Sequence, residues 1–231
     1  MNFEALHTLD KCVLLTLNGS HNLFLDNLVV TLTSAYTWIL LYGALLYLII
    51  KNNENWWKIM LIVGTIGIGL LIVDGVNLGI VKPLIARPRP LNSPELQGIV
   101  QSANGYYASG YSFFSSHTAN AFLIAVFFSL LVRDKIFSCF MFLWAIIVSL
   151  TRPYLGVHYP SDICFGAIFG SAIAILIYFL YLRIYIRFSD KIHYISTRYT
   201  RTGYSFVDID LVLTVLVLTF IYTVFRALLL I

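Results

Sequence analysis

The chain has 231 residues and a formal net charge of +4; 59% of its residues are hydrophobic and 11% are charged, against about 45–50% and ~25% in ordinary soluble domains. That balance excludes a water-soluble globular domain, and the scattered positive charges exclude a nucleic-acid-binding surface. It fits one domain, residues 1–231, in a lipid bilayer, where each helical span needs roughly 20 apolar residues.

From the N-terminus, residues 1–27 form an interfacial segment in which 2–17 suit a helix lying on the membrane surface. They lack the basic stretch and small-residue cleavage site of a secretory leader. Six apolar segments follow: Leu28–Ile50, Ile59–Val81, Thr118–Val132, Ile136–Leu150, Ile163–Leu182 and about Leu211–Ile231. They lack the ten-residue alternation of a membrane barrel, so the predicted fold is all-α, a polytopic bundle of six transmembrane helices. The third and fourth segments are short for a bilayer core, and their ends are expected to extend into polar neighbours. Gly75 with Gly79, and Gly166 with Gly170, are spaced four apart and predict two flat stripes for close helix contact. Cys139 and Cys164 sit inside apolar runs and read as buried small hydrophobes rather than a disulfide.

Lys and Arg in the connections set the orientation. Lys51, Lys58, Arg133, Lys135, Arg183, Arg187, Lys191, Arg198 and Arg201 share one side, which is predicted cytoplasmic; most lie in the basic connection 183–206. The N-terminus and the loops 82–117 and 151–162 then face outward, towards the periplasm if the membrane is a bacterial inner membrane.

Those outward loops hold the polar residues that need explaining. They supply Lys82, Arg87, Arg89, His117, Arg152, His158 and Asp162, with Asp162 and Glu95 as their only carboxylates. An anion is the missing partner. Ser115 or Ser116 can cap the helix that follows, and Pro160 suits the first turn of the next, which places Asp162 in that turn. Two helix N-termini among several cations make an oxyanion site, and arginine forks match phosphate oxygens. Asp162 can hold one nitrogen of His158 and leave the other as a nucleophile towards phosphorus, with His117 as acid and base. Arg89, Arg152 and Lys82 would stabilise charge on the equatorial oxygens. Zinc on the two imidazoles and the carboxylate is the competing reading, opposed by the neighbouring cations. No metal or other cofactor is expected.

At this point the residues resemble the type 2 phosphatidic acid phosphatase superfamily, whose signature is written K-x6-R-P, P-S-G-H and S-R-x5-H-x3-D. The chain reads Lys82, six residues, Arg89-Pro90; then Phe114-Ser115-Ser116-His117; then Thr151-Arg152, five residues, His158, three residues, Asp162. Phe114, Ser116 and Thr151 depart from the pattern without removing a chemical group. The resemblance implies a metal-independent lipid phosphatase that forms a phosphohistidine on His158, with Asp162 orienting it and His117 as acid/base. Lys82, Arg89, Ser115, Ser116 and Arg152 would bind the phosphate, with Arg87 as an accessory contact. The expected substrate is a phosphorylated lipid of the outer leaflet. Lipid A at its 4′ position comes first, then undecaprenyl pyrophosphate or phosphatidylglycerol phosphate. A lipid phosphotransferase or an anion transporter are the other classes compatible with the spans. The oligomeric state is not specified.

Two further features carry no settled role. Asp74 and Asn77 lie three apart on one helix face, and an intramembrane carboxylate is either functional or paired with a core group. Tyr106, Tyr107 and Tyr111 suit an interfacial aromatic belt or a lipid entrance.

Overall fold

The computed structural model describes residues 3–18, 22–188 and 197–231. Among them the secondary structure is helical apart from one isolated bridge between Tyr199 and Ser205. The helices are α1 (Phe3–Leu17), α2 (Leu23–Thr33), α3 (Ile39–Lys51), α4 (Trp56–Val76), α5 (Lys82–Ile85), α6 (Ser116–Val132), α7 (Lys135–Tyr154), α8 (Pro160–Phe188) and α9 (Phe206–Leu229). Four helical stretches are long and apolar enough to cross a bilayer. A fifth counts if the bent α2–α3 pair is one span, and α6 falls just short at 17 residues. Their flanks carry exposed Leu40, Leu71, Ile168 and Leu229, as surfaces facing lipid do. The chain is a multi-pass membrane protein.

The first expected span is broken. At Ser34 the backbone turns extended and α2 meets the following helix at 65°. A break in hydrocarbon frees backbone carbonyls that need new donors. Here the Thr31 carbonyl accepts from the Thr37 hydroxyl at 2.6 Å, and that of Leu32 from the Trp38 indole at 2.9 Å. Trp38 then packs edge-on against Trp144 and Phe220, which fixes the bend in the core. The sequence TSAYTW contains neither proline nor glycine, so no local signal announced it.

The second span runs longer than expected. α4 passes through a π-helical turn at Asn77–Val81 into α5, so Lys82 opens a last helical turn rather than a loop. Similarly, α7 extends through Thr151 and Arg152 to Tyr154, and only residues 155–159 form the connection to α8. α8 continues past the expected end to Phe188; the remainder of the basic connection, 189–196, lies outside the described residues.

Only one glycine stripe is a contact. A Cβ built on Gly170 would lie 2.0 Å from the Ala119 carbonyl oxygen, and one on Gly166 2.7 Å from that of Ser115, so α6 and α8 touch backbone to backbone. Among the described residues a Cβ on Gly75 or Gly79 meets nothing within 4 Å; in α4 it is Gly69 that admits a neighbour, Ile177 of α8. The expected burial of Cys139 and Cys164 is also corrected. Both are free thiols with exposed side chains, because the apolar medium outside the bundle accepts a small hydrophobe as readily as its core.

α1 is helical as expected, and it docks on protein. Leu14 is buried against Tyr159, Leu96 and Val100. Asn18 donates to the carbonyls of Gln101 and Tyr154, at 2.8 and 2.7 Å, and accepts from the Gln101 N–H.

Candidate active site

The close α6–α8 crossing brings two helix N-termini side by side. Ser115 caps α6, its hydroxyl oxygen accepting from Thr118, and the Ser115 N–H donates to the Asp162 carbonyl at 3.2 Å. Pro160 opens α8, as expected, and puts Asp162 in its first turn. The turn before it needs Gly156, whose φ is +67° and whose missing Cβ leaves room for Val100 and Leu91.

His158 and Asp162 form the centre. Asp162 is fully buried and accepts on both oxygens: Oδ1 from Arg87 at 2.8 Å, and Oδ2 from the Tyr159 N–H at 2.9 Å, the Ser112 hydroxyl and His158 Nδ1 at 3.4 Å. The other imidazole nitrogen, Nε2, lies 3.3 Å from Arg89 Nη1. These partners fix the tautomer: Nδ1–H donates to the carboxylate and Nε2 keeps its lone pair on the site side. Burial pushes the His158 imidazole down to about 3, partly offset by the hydrogen bond it donates to Asp162, and Arg152 and Arg89 lower it further. It is therefore neutral and nucleophilic at physiological pH.

The cations divide into two sets. Arg89 and Arg152 are buried and their charges reach both imidazoles; Lys82 is buried too and reaches His117. Among the described residues none of these three has a carboxylate within ion-pair distance. Arg89 is held by the carbonyls of Ser109, Gly110 and Val157. Arg152 Nη1 donates to Thr33 Oγ1 at 2.6 Å and to Tyr106 OH at 3.1 Å. Carbonyls and hydroxyls orient these groups without neutralising them, so positive charge is stored where an anion would sit. Arg87, expected as an accessory phosphate contact, is committed to carboxylates instead: Asp162 on one side and Asp10 of α1 on the other. Prolines at 88 and 90 hold the backbone extended between the two arginines, so one grips the aspartate and the other faces the histidine.

His117 is on α6, exposed, near the α2 C-terminus at Thr33 and within reach of the charges on Arg152, Lys82 and Arg89. Asn77, wholly buried, donates to the Phe114 carbonyl and to Ser116 Oγ, at 2.8 and 2.7 Å, and so braces the turn that carries Ser115 and Ser116. Asp74 is paired with Asn120. Tyr106 belongs to the site rather than to a belt, its ring 5.5 Å from the Arg152 guanidinium; Tyr107 and Tyr111 are exposed.

Sequence reasoning missed Thr33, Ser112 and Asp10. The surplus of outward cations over loop carboxylates was a signal for a distant acid, and Asp10 answers part of it. Thr33→Val should leave the fold intact and lower kcat/KM about tenfold, because Arg152 loses a buried acceptor. Steady-state phosphate release would read this.

A neutral histidine backed by a carboxylate, facing buried uncompensated cations inside a helical bundle, is the equipment of a membrane phosphohydrolase. The comparisons agree. Residues 62–186 match the model of the PAP2 superfamily, and the chain belongs to that superfamily. It is 37% identical over 77% of its length to the lipid A 4′-phosphatase of Bacteroides thetaiotaomicron, covering 79% of that protein. To the lipid A 4′-phosphatase of Porphyromonas gingivalis it is 29% identical, over 78% of this chain and 75% of that one. The crystal structure of a PAP2-type phosphatidylglycerolphosphate phosphatase from Bacillus subtilis shares the fold, with a TM-score of 0.57 at 20% identity, over 80% of this chain and 90% of the other. The protein is a membrane phosphatase acting on phosphate esters.

Proposed function

We propose that the protein removes the 4′-phosphate of lipid A at the outward, periplasmic face of a bacterial inner membrane, as a bundle of six spans. His158 Nε2 attacks phosphorus while His117 protonates the departing sugar oxygen, giving a phosphohistidine and the dephosphorylated lipid. His117 then takes a proton from water, which attacks phosphorus, releases inorganic phosphate and restores the imidazole. Lys82, Arg89, Arg152 and the N–H groups at the start of α6 hold the equatorial oxygens.

The observation that carries the reading is the His158–Asp162 pair set beside buried Arg89 and Arg152, which have no carboxylate partner among the described residues. Its lipid character is supported by an apolar groove of about 380 Å³ lined by α3, α4 and α6, which reaches Asn120 one turn beyond His117. The choice of lipid A rests on the 37% identity to the Bacteroides enzyme. Undecaprenyl pyrophosphate and phosphatidylglycerol phosphate are the alternatives the experiment separates. Mass spectrometry of lipids from Gram-negative cells with and without the protein should show lipid A lacking one phosphate, assigned to the 4′ position by fragmentation. Unchanged lipid A with altered undecaprenyl phosphates would overturn the substrate.

A further inference from the structure

We propose that Asp10 of the N-terminal helix is a positioning residue for the nucleophile, acting on His158 through Arg87 and Asp162. This rests on the reading of His158 as the attacking group. Asp10 lies outside the stretch that matches the family, so the family pattern assigns it nothing.

Asp10 is only 5% exposed. Its Oδ2 accepts from Arg87 Nη2 and from the Ser161 hydroxyl, both at 2.6 Å, and its Oδ1 accepts from the Ser161 N–H at 2.8 Å. The other fork of the same guanidinium, Nη1, donates to Ser161 Oγ and to Asp162 Oδ1, each at 2.8 Å. The plane of the guanidinium is fixed in turn by the Tyr159 ring, 3.7 Å below it. One rigid cation therefore bridges two buried carboxylates.

The consequence for His158 is geometric first. With Oδ1 held by Arg87, the Asp162 carboxylate cannot rotate, and Oδ2 stays aligned with His158 Nδ1. It is also electrostatic. Were Arg87 to pair with Asp162 alone, its full charge would draw electron density away from the oxygen that backs the imidazole. Asp10 takes a share of that charge, so Asp162 remains a strong acceptor and Nε2 a better nucleophile. Asp10 adds a capping carboxylate at the N-terminus of α8, the helix on which Asp162 rides. α1 is held firmly enough for this: Leu14 is buried beside Tyr159, and Lys11 pairs with Glu95.

The full-length protein in detergent micelles, with bisphosphorylated lipid A as probe, tests the inference. Asp10→Asn should lower kcat about tenfold with KM within about twofold, and Asp10→Glu should recover part of the loss. The double variant with Arg87→Gln should be no slower than Arg87→Gln alone, because Asp10 works through that arginine. Orthovanadate, a phosphate mimic that an attacking imidazole holds in a five-coordinate complex, gives a lipid-independent readout. It should bind Asp10→Asn several-fold more weakly than wild type. Unchanged kcat and vanadate affinity in Asp10→Asn, with His158→Ala inactive, overturns the inference and leaves the reading standing. Losses that add to those of Arg87→Gln, or that appear in KM alone, overturn it as well. An active His158→Ala overturns the reading itself.

Discussion

Alanine at position 158 is expected to cut phosphate release roughly a thousandfold or more, without displacing any helix. The side chain is 3% exposed and lies in the short connection between α7 and α8, where its partners are Asp162, Arg89 and Ser112. Its removal takes away the atom that bonds to phosphorus, while Arg89 and Arg152 retain their carbonyl and hydroxyl partners. Substrate binding should therefore fall far less than turnover. Initial rates measured without added metal, with acid-quench trapping of labelled phosphoenzyme, check both halves of the expectation. A variant that still turns over at the wild-type rate sinks the phosphohistidine mechanism. The pH dependence follows from the same burial. A nucleophile must be unprotonated, and an imidazole held down at about 3 stays so well below the ordinary histidine range. Phosphoenzyme formation should consequently show no acid limb near the unperturbed value of 6.5 that is assignable to His158.

Gly170→Val should be the most damaging single change to the fold. Its new Cβ would meet the Ala119 carbonyl oxygen at 2.0 Å and that residue's Cα at 2.8 Å. Backbone cannot rotate away as a side-chain tip can, so the α6–α8 crossing must open. Overpacking of this kind costs about 1–3 kcal/mol where side chains yield, and more where they cannot. Because α6 carries His117 and α8 carries Asp162, activity should fall along with thermal stability in detergent. Gly75→Ala is the control: it meets nothing within 4 Å, and it should leave melting temperature and activity unchanged. Equal tolerance at positions 75 and 170 would remove the backbone contact as the feature that holds the two N-termini together.

The sequence by itself determined those parts of the protein whose causes are local. Apolar runs located the helical stretches, though not the break at Ser34 or the full lengths of α7 and α8. The serine pair 115–116 and Pro160 marked where α6 and α8 begin, and placed Asp162 in the first turn of α8 with His158 just before it. Tertiary structure alone decided which long-range partners these groups would meet. Identical small-residue spacing made Gly166 and Gly170 a contact and left Gly75 and Gly79 open, because a stripe says nothing of what faces it. The break at Ser34 has no breaker residue; it exists because Thr37 and Trp38 take up carbonyls that it releases. Asp10 meets Arg87 across 77 positions of chain. Periodicity and capping act over a few residues and are written in order along the sequence, whereas a buried charge finds its counterpart only when packing has closed the space between them.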